Sequence, residues 1–315
     1  MGKICGDQLK NVFTHALCTP VLHAFLCIPS QPTLWLKLNL IGRDVPFDFI
    51  EKAVRNGCEY LNLRLSQVTE VKKSDFQWKL KYLNVSLAHG DMAGVLQNCY
   101  FLEKLASNQL TINSDVIDHI CQNGNTLQIL SLAGGTIDYY RRAELIKKLL
   151  TSCPQLTAFN IGYRFSLGPH VCALVENLPA NILKLDLSHQ GVNDKHVKTL
   201  VTRCNKITEL DLRFTDITND SLESIIENLN FLEKLDVSCT NIDFSMLRQL
   251  KGIPTLKDFR YFTWNEDDTE KIKNLKLQLP HVSINEEYLR IARPENYQDW
   301  LWEIRSKQQD LFSKN

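Results

Sequence analysis

"ILKLDL" at 182–187, "ITELDL" at 207–212 and "LEKLDV" at 232–237 are three copies of one pattern, L-x-x-L-x-L, spaced 25 residues apart. Further copies extend in both directions along the chain. They read "LKYLNV" (80–85), "LQILSL" (127–132), "LTAFNI" (156–161) and "LKDFRY" (256–261), with weaker copies at 58–63, 102–107 and 279–284 and a half-copy at 38–40. The fourth position of the pattern therefore recurs every 22 to 29 residues at Leu38, Leu61, Leu83, Leu105, Leu130, Phe159, Leu185, Leu210, Leu235, Phe259 and Val282.

This period, together with a leucine content of 47 in 315 residues, predicts leucine-rich repeats. Positions four and six alternate around one polar residue, which is typical of a short strand. Each strand is followed by a stretch with apolar residues at helical spacing, clearest at 115–123, 142–150, 195–204 and 221–229. The sequence predicts an α/β fold: a right-handed solenoid of about eleven parallel strands, with helices on its convex face and an open, concave sheet face.

Start signals and cysteines refine this repeat. Ser114 or Asp115 is expected to cap one helix, and Asn219 or Asp220 another. The ten cysteines contain no C-x-x-C pair, and their scatter is typical of reduced thiols rather than of a disulfide framework. Three of them come three residues before the first pattern position and are predicted to be buried as small apolar side chains: Cys99, Cys153 and Cys204.

Charge and composition limit the function classes. Lys and Arg number 36 and Asp and Glu number 36, so the chain has no net attraction to nucleic acid or to an anionic membrane. The segment 11–36 lacks charge, which leaves a secretory signal as an alternative, but its prolines and histidines argue against a membrane span. Four residues there have side chains that zinc can bind, although packed side chains are the preferred interpretation: His15, Cys18, His23 and Cys27.

No catalytic motif, metal motif or cofactor fingerprint occurs, so we expect a non-catalytic binding protein without a cofactor. Its partner surface is expected on the concave face, where the position-five residues are predicted to be exposed. These residues are neutral in the first half of the chain and charged in the second. Charged and aromatic side chains commonly anchor protein partners. The candidate residues are Tyr163, Lys184, Asp186, Asp211, Arg213, Phe214, Asp236, Arg260 and Phe262.

Both ends carry a family resemblance. "VFTHALCTPVL" at 12–22 resembles the middle of an F-box, and "IPTLK" (253–257), "LPHVSIN" (279–285) and "IARP" (291–294) occur in the order found in the S-phase kinase-associated branch of the F-box/leucine-rich-repeat family. These proteins are substrate receptors of Skp–cullin–F-box ubiquitin ligases. On this resemblance the F-box-like residues that would contact the Skp adaptor are Phe13, Leu17, Pro20 and Leu22.

The F-box is clipped. Its usual Leu-Pro-acidic opening is replaced by "MGKICGDQLK", and Pro20 and Trp35 are too close together to contain the later Val-Cys-basic-Trp helix. The resemblance implies the Skp adaptor and its cullin as partners, a Cks accessory protein, and a substrate such as a phosphorylated cyclin-dependent kinase inhibitor, in the nucleus and cytoplasm. The clipped F-box keeps open the alternative of a repeat scaffold that has lost adaptor binding.

The predicted organisation has three parts: an F-box-like helical segment (1–35), the repeat solenoid (36–290) and a tail (291–315). Trp300 and Trp302 in the tail are costly to leave in water, so we expect the tail to pack back onto the solenoid. A free amphipathic helix that binds a partner is the alternative.

Overall fold

The computed structural model describes residues 35–138, 140–162, 168–263 and 268–285. Its strands are β1 (Lys37–Asn39), β2 (Asp44–Pro46), β3 (Tyr60–Asn62), β4 (Gln67–Thr69), β5 (Tyr82–Asn84), β6 (Lys104–Ala106), β7 (Thr111–Ile112), β8 (Ile129–Ser131), β9 (Thr136–Ile137), β10 (Ala158–Asn160), β11 (Lys184–Asp186), β12 (Glu209–Asp211), β13 (Lys234–Asp236), β14 (Asp258–Arg260) and β15 (Ser283–Ile284). Its helices are α1 (Phe47–Arg55), α2 (Met92–Leu96), α3 (Ser114–Cys121), α4 (Arg142–Ser152), α5 (Val171–Asn177), α6 (Asp194–Arg203), α7 (Asn219–Asn228) and α8 (Asp268–Gln278), with 3-10 helices at Gly168–His170 and Phe244–Gly252.

The chain forms two compact units, Met1–Ser131 and Leu132–Asn315. In the first unit β1, β3, β5, β6 and β8 are neighbours in a parallel sheet, and β2 pairs in parallel with β4. In the second unit the order is β10, β11, β12, β13, β14 and β15, again all parallel. The prediction of about eleven parallel strands joined by helices is confirmed within the described residues.

Each repeat buries its leucines on one side of its strand. Leu185 and Leu187, at pattern positions four and six, are fully buried, and the same holds for Leu210 and Leu212 one repeat later. Side chains at positions three and five point to the other side because direction alternates along a strand. We call the side formed by positions three and five the open face.

The strand register confirms ten of the eleven predicted fourth positions and corrects one. Phe259 pairs with Ile284, not with Val282 as the sequence pattern predicted. The last repeat is longer than predicted, because Val282 N–H donates to the Leu279 carbonyl at 3.0 Å, which places Val282 in the turn before the strand. Ile284 then follows as the core residue of β15 and is fully buried.

Helix caps lie one residue earlier than predicted. The side chain of Asn113, not that of Ser114 or Asp115, accepts a hydrogen bond from Val116 N–H and caps α3. Thr218, not Asn219 or Asp220, accepts from Asp220 N–H and caps α7. A cap residue must have an extended rather than a helical backbone. Asn113 and Thr218 are extended, whereas Ser114 and Asn219 are already the first residues of their helices.

Cys99, Cys153 and Cys204 are fully buried at the ends of their repeats' helical segments, as predicted. Burial raises the pKa of the Cys204 thiol to about 11 and that of Cys58 to about 12. All seven cysteines within the described ranges are free thiols. Four of the seven are buried and three are partly exposed. No helix in these ranges is long and apolar enough to span a membrane.

Left-handed backbone recurs just after the strands, at pattern position eight. His189, Phe214 and Cys239 have φ values of 59°, 55° and 55°, and Gly42 and Gly134 occupy the same position with φ of 67° and 69°. The backbone N–H at this position donates to the next repeat, as from His189 to the Arg213 carbonyl at 3.0 Å. The kink therefore turns the chain while it links successive repeats.

Candidate functional site

Three aspartates at position five of β11, β12 and β13 bend back over their own strands. The Oδ1 atom of each accepts a backbone N–H from two residues further on: Asp186 from Ser188 at 2.9 Å, Asp211 from Arg213 at 3.1 Å and Asp236 from Ser238 at 2.9 Å. This hydrogen bond satisfies a backbone donor where the strand ends. The position-five side chains therefore have a structural role, because they satisfy the backbone where the strand ends.

The expectation that these residues are exposed is wrong. Asp211 and Asp236 have no exposed surface, and Asp186, Arg213 and Arg260 are also buried. Asp211 lies between β11 and β13 and against the Arg213 guanidinium, and strict alternation along a strand does not take such surroundings into account.

The negative charge is not needed for this hydrogen bond. Asn62, Asn84 and Asn160 occupy position five of other repeats and accept the same i+2 bond at 3.1, 2.9 and 3.0 Å. Aspartate in three adjacent strands therefore adds charge that must be compensated, because buried charges are costly when unpaired.

Arginine supplies that compensation. Arg213 Nη2 lies 3.0 Å from Asp211 Oδ2, and its Nη1 lies 4.0 Å from Asp236 Oδ2. Arg260, the position-five residue of β14, lies beside Asp236 in register and contacts Asp258 Oδ2 at 3.5 Å. The structure thus brings five of the predicted residues into one buried group, which we call the acidic cluster: Asp186, Asp211, Arg213, Asp236 and Arg260.

Burial dominates the protonation of this cluster. It raises the pKa of Asp186 and, more strongly, the pKa of Asp211, while the Arg213 guanidinium acts in the opposite direction. The neighbouring carboxylates of Asp186 and Asp236 further raise the pKa of Asp211. Asp186 and Asp211 therefore take up protons more readily than free carboxylates do.

Position three forms a second row, in which charge alternates from strand to strand. Lys184, Glu209 and Lys234 are paired in register, and Glu209 Oε1 lies 2.7 Å from Lys184 Nζ and 3.6 Å from Lys234 Nζ. The Glu209 side chain is 7% exposed, whereas Lys184 is 32% and Lys234 is 26% exposed. The charged atoms that solvent reaches in this row are thus mainly basic.

Aromatic side chains flank the strand ends. The His189 and Phe214 rings stack with centroids 4.2 Å apart and planes 16° apart, and Phe262 is 36% exposed. Burial and the charge of Arg213 lower the pKa of His189. The accessible part of this open face combines lysine and aromatic groups above buried carboxylates, a surface suited to an acidic protein segment.

Several predicted residues fall outside the described parts of the chain. These are the F-box-like residues Phe13, Leu17, Pro20 and Leu22, the open-face residue Tyr163, and the tail residues Trp300 and Trp302. Their roles stay predictions.

The first unit has a row of one lysine and two tyrosines that the sequence pattern did not reveal. Lys37, Tyr60 and Tyr82 lie side by side at position three of β1, β3 and β5. Lys37 Nζ lies 5.3 Å from the Tyr60 ring centre, and the two tyrosine rings stack 6.4 Å apart. Reading position three as well as position five through the first half of the chain would have revealed it.

Metal chemistry has no support in the parts of the chain that the structure describes. No group of three or more His, Cys, Asp or Glu side chains there is arranged to hold a metal ion. Within the acidic cluster, Arg213 lies 3.0 Å from the Asp211 carboxylate and 4.0 Å from that of Asp236.

Comparison with known families matches the chain to the SKP2 LRR domain over residues 49–309. The chain belongs to this family. The match covers the strands and helices described above from α1 onward, including the acidic cluster. The repeats predicted from periodicity are therefore leucine-rich repeats of the SKP2 type.

Solved structures with a similar arrangement include bacterial leucine-rich repeat proteins. Internalin C2 of Listeria monocytogenes is 15% identical with a TM-score of 0.38, and covers 60% of this chain and 74% of its own. Internalin InlF of the same species is 15% identical with a TM-score of 0.41, covering 88% and 96%. LegL7 of Legionella pneumophila is 13% identical with a TM-score of 0.43, covering 86% and 87%. No curated protein matches the chain.

Proposed function

We propose that this chain is the substrate-recognition subunit of a Skp–cullin–F-box ubiquitin ligase. Its SKP2-type repeats would hold a cell-cycle regulator, such as a cyclin-dependent kinase inhibitor, while other subunits transfer ubiquitin. The chain itself would be non-catalytic and would raise the effective concentration of target lysines near the charged ubiquitin enzyme. The observation that carries this proposal is the family match over residues 49–309.

The open face of the second unit supports an acidic or phosphorylated target. Its charged groups include the partly exposed side chains of Lys184 and Lys234 at position three, and the His189–Phe214 stack lies at position eight, beyond the ends of β11 and β12. Phosphate carries nearly two negative charges and strong acceptor oxygens, so it pairs well with such groups. A Cks accessory protein would provide further contacts, and activity in nucleus and cytoplasm belongs to the same proposal.

Co-purification tests the ligase role. The tagged chain expressed in cells should recover the Skp adaptor and a cullin together with a target. Recovery of a target without either ligase subunit would overturn the ligase proposal and favour the second candidate, a repeat scaffold that binds targets but has lost adaptor attachment. The clipped F-box motivates that candidate.

Charge reversal tests the open face separately. Lys184→Glu with Lys234→Glu should abolish target recovery by repelling an acidic segment, while adaptor recovery stays unchanged. Lys198→Glu, an exposed position on α6, is the matched control and should change neither. Equal target recovery by the double variant and the control would remove these lysines from the binding surface.

A further inference from the structure

A thiol and an imidazole meet on the helical side of the second unit. Cys172 on α5 places its Sγ atom 3.2 Å from the Nε2 atom of His196 on α6. Both side chains are partly exposed. This pair lies on helices, away from the open face and the acidic cluster, and the proposed receptor function does not use it.

The second ring nitrogen fixes the direction of this contact. His196 Nδ1 accepts a hydrogen bond from the backbone N–H of Asn193 at 3.2 Å, as part of the capping box of α6. Nδ1 therefore carries the lone pair, and the neutral ring has its proton on Nε2, facing the sulfur. Burial and the charge of Lys195 lower the pKa of His196, while Glu176 has the opposite effect, so the neutral ring dominates near neutral pH.

An N–H group that donates to sulfur stabilises the thiolate more than the thiol, because a hydrogen bond to a charged acceptor is stronger. The thiolate is the reactive form of cysteine. Most of the other described cysteines offer a contrast: Cys58, Cys99, Cys153 and Cys204 are buried, whereas Cys121 is partly exposed. Burial, helped by Asp236, raises the pKa of the partly exposed Cys239 to about 11.

We propose that Cys172 is a site of reversible oxidation by hydroperoxides, with His196 as the positioning residue that donates a hydrogen bond to its sulfur. The thiolate attacks one peroxide oxygen, an S–O bond forms, the O–O bond breaks and hydroxide leaves. Sulfur is oxidised to sulfenic acid and the peroxide is reduced. A thiol that later attacks the sulfenic acid can reverse the modification through a disulfide.

Site-resolved labelling tests the proposal on the purified full chain. The protein is treated with dilute hydrogen peroxide, sulfenic acid is trapped with a 1,3-dione, and the rate at each cysteine is measured by peptide mass spectrometry. Cys172 should react at least about tenfold faster than Cys239, which serves as an internal reference in the same molecule. Equal rates at the two cysteines would overturn the proposal, and this comparison needs no variant.

Variants then assign the role of His196. His196→Ala should slow labelling of Cys172 several-fold and leave Cys239 unchanged, whereas Cys239→Ser should leave the Cys172 rate unaltered. Circular dichroism of each variant confirms that the fold is retained. An unchanged Cys172 rate in folded His196→Ala protein would show that the imidazole does not activate the thiol.

Discussion

Position five shows how one residue type can serve structure and charge at once. Asn and Asp both accept the i+2 backbone N–H, as Asn160 and Asp186 do in adjacent strands. Only Asp needs a counter-charge when it is buried, and Arg213 provides it for Asp211 and Asp236. A buried ion pair gains little net stability, but the loss of one partner is costly.

Substitutions of Asp211 distinguish the role of its backbone hydrogen bond from the role of its charge. Asp211→Asn keeps the acceptor for Arg213 N–H and should cost less than Asp211→Ala, which leaves that buried donor unsatisfied at a cost of about 1–3 kcal/mol. Denaturant unfolding of both variants measures the difference. Equal losses for Asn and Ala would show that the backbone hydrogen bond contributes nothing.

The same variant gives a pH test with a definite sign. The pKa of Asp211 is raised in the folded state by burial, so the folded protein holds more protons than the unfolded chain above the ordinary value of 3.8. Stability from this group is then lost as pH rises through the window between 3.8 and the folded pKa. The stability of Asp211→Asn relative to the natural chain should accordingly improve with pH, measured by unfolding between about pH 4 and about pH 7.

At the scale of the element, short helices rely on the capping residue that precedes their first turn. Asn113 is extended and its Oδ1 accepts Val116 N–H at 2.9 Å, which satisfies a donor that a helix of eight residues cannot pair internally. Asn193 and Thr218 do the same for α6 and α7. Such caps occur in several repeats, where a helix must restart after a strand, whereas α1, α4 and α5 begin without a side-chain cap.

Asn113→Ala should destabilise the protein by about 1 kcal/mol, whereas Ser114→Ala, at the first helical residue, should change stability by less than about 0.5 kcal/mol. Chemical denaturation monitored by circular dichroism distinguishes them. A larger loss for Ser114 would contradict the observed cap and restore the one predicted from sequence.

At the scale of the whole molecule, stability passes from repeat to repeat. Strand β12 pairs with β11 and β13, and Leu210 lies fully buried at its centre. Repeat proteins derive their stability from such neighbour contacts, so a defect in one repeat weakens the next.

Leu210→Ala should cost about 2–5 kcal/mol and speed amide hydrogen exchange in β11 and β13 as well as in β12. Leu183→Ala, immediately before β11 and 37% exposed, is the control and should have a small effect. Faster exchange confined to β12 would mean that the repeats open independently.

Periodicity predicted most of this fold because every repeat buries the same positions. It failed in the last repeat. Val282 and Ile284 are both apolar and two residues apart, so either one fits the alternation of buried residues along a strand. Only the length of the preceding turn decides between them. It also failed for Asp211 and Asp236, because alternation does not encode the neighbouring strands and the arginine side chain that surround them. The pairing of Cys172 with His196 joins two helices and leaves no local signal.

The kink at position eight has a consequence for how such a surface can change. A left-handed residue other than glycine carries a strain of about 1 kcal/mol or more, and His189, Phe214 and Cys239 all accept it. Gly42 and Gly134 make the same turn without a side chain. The side chains at this edge are therefore not required for closing the repeat, and the chain can exchange them for new contacts while its strands and core stay as they are.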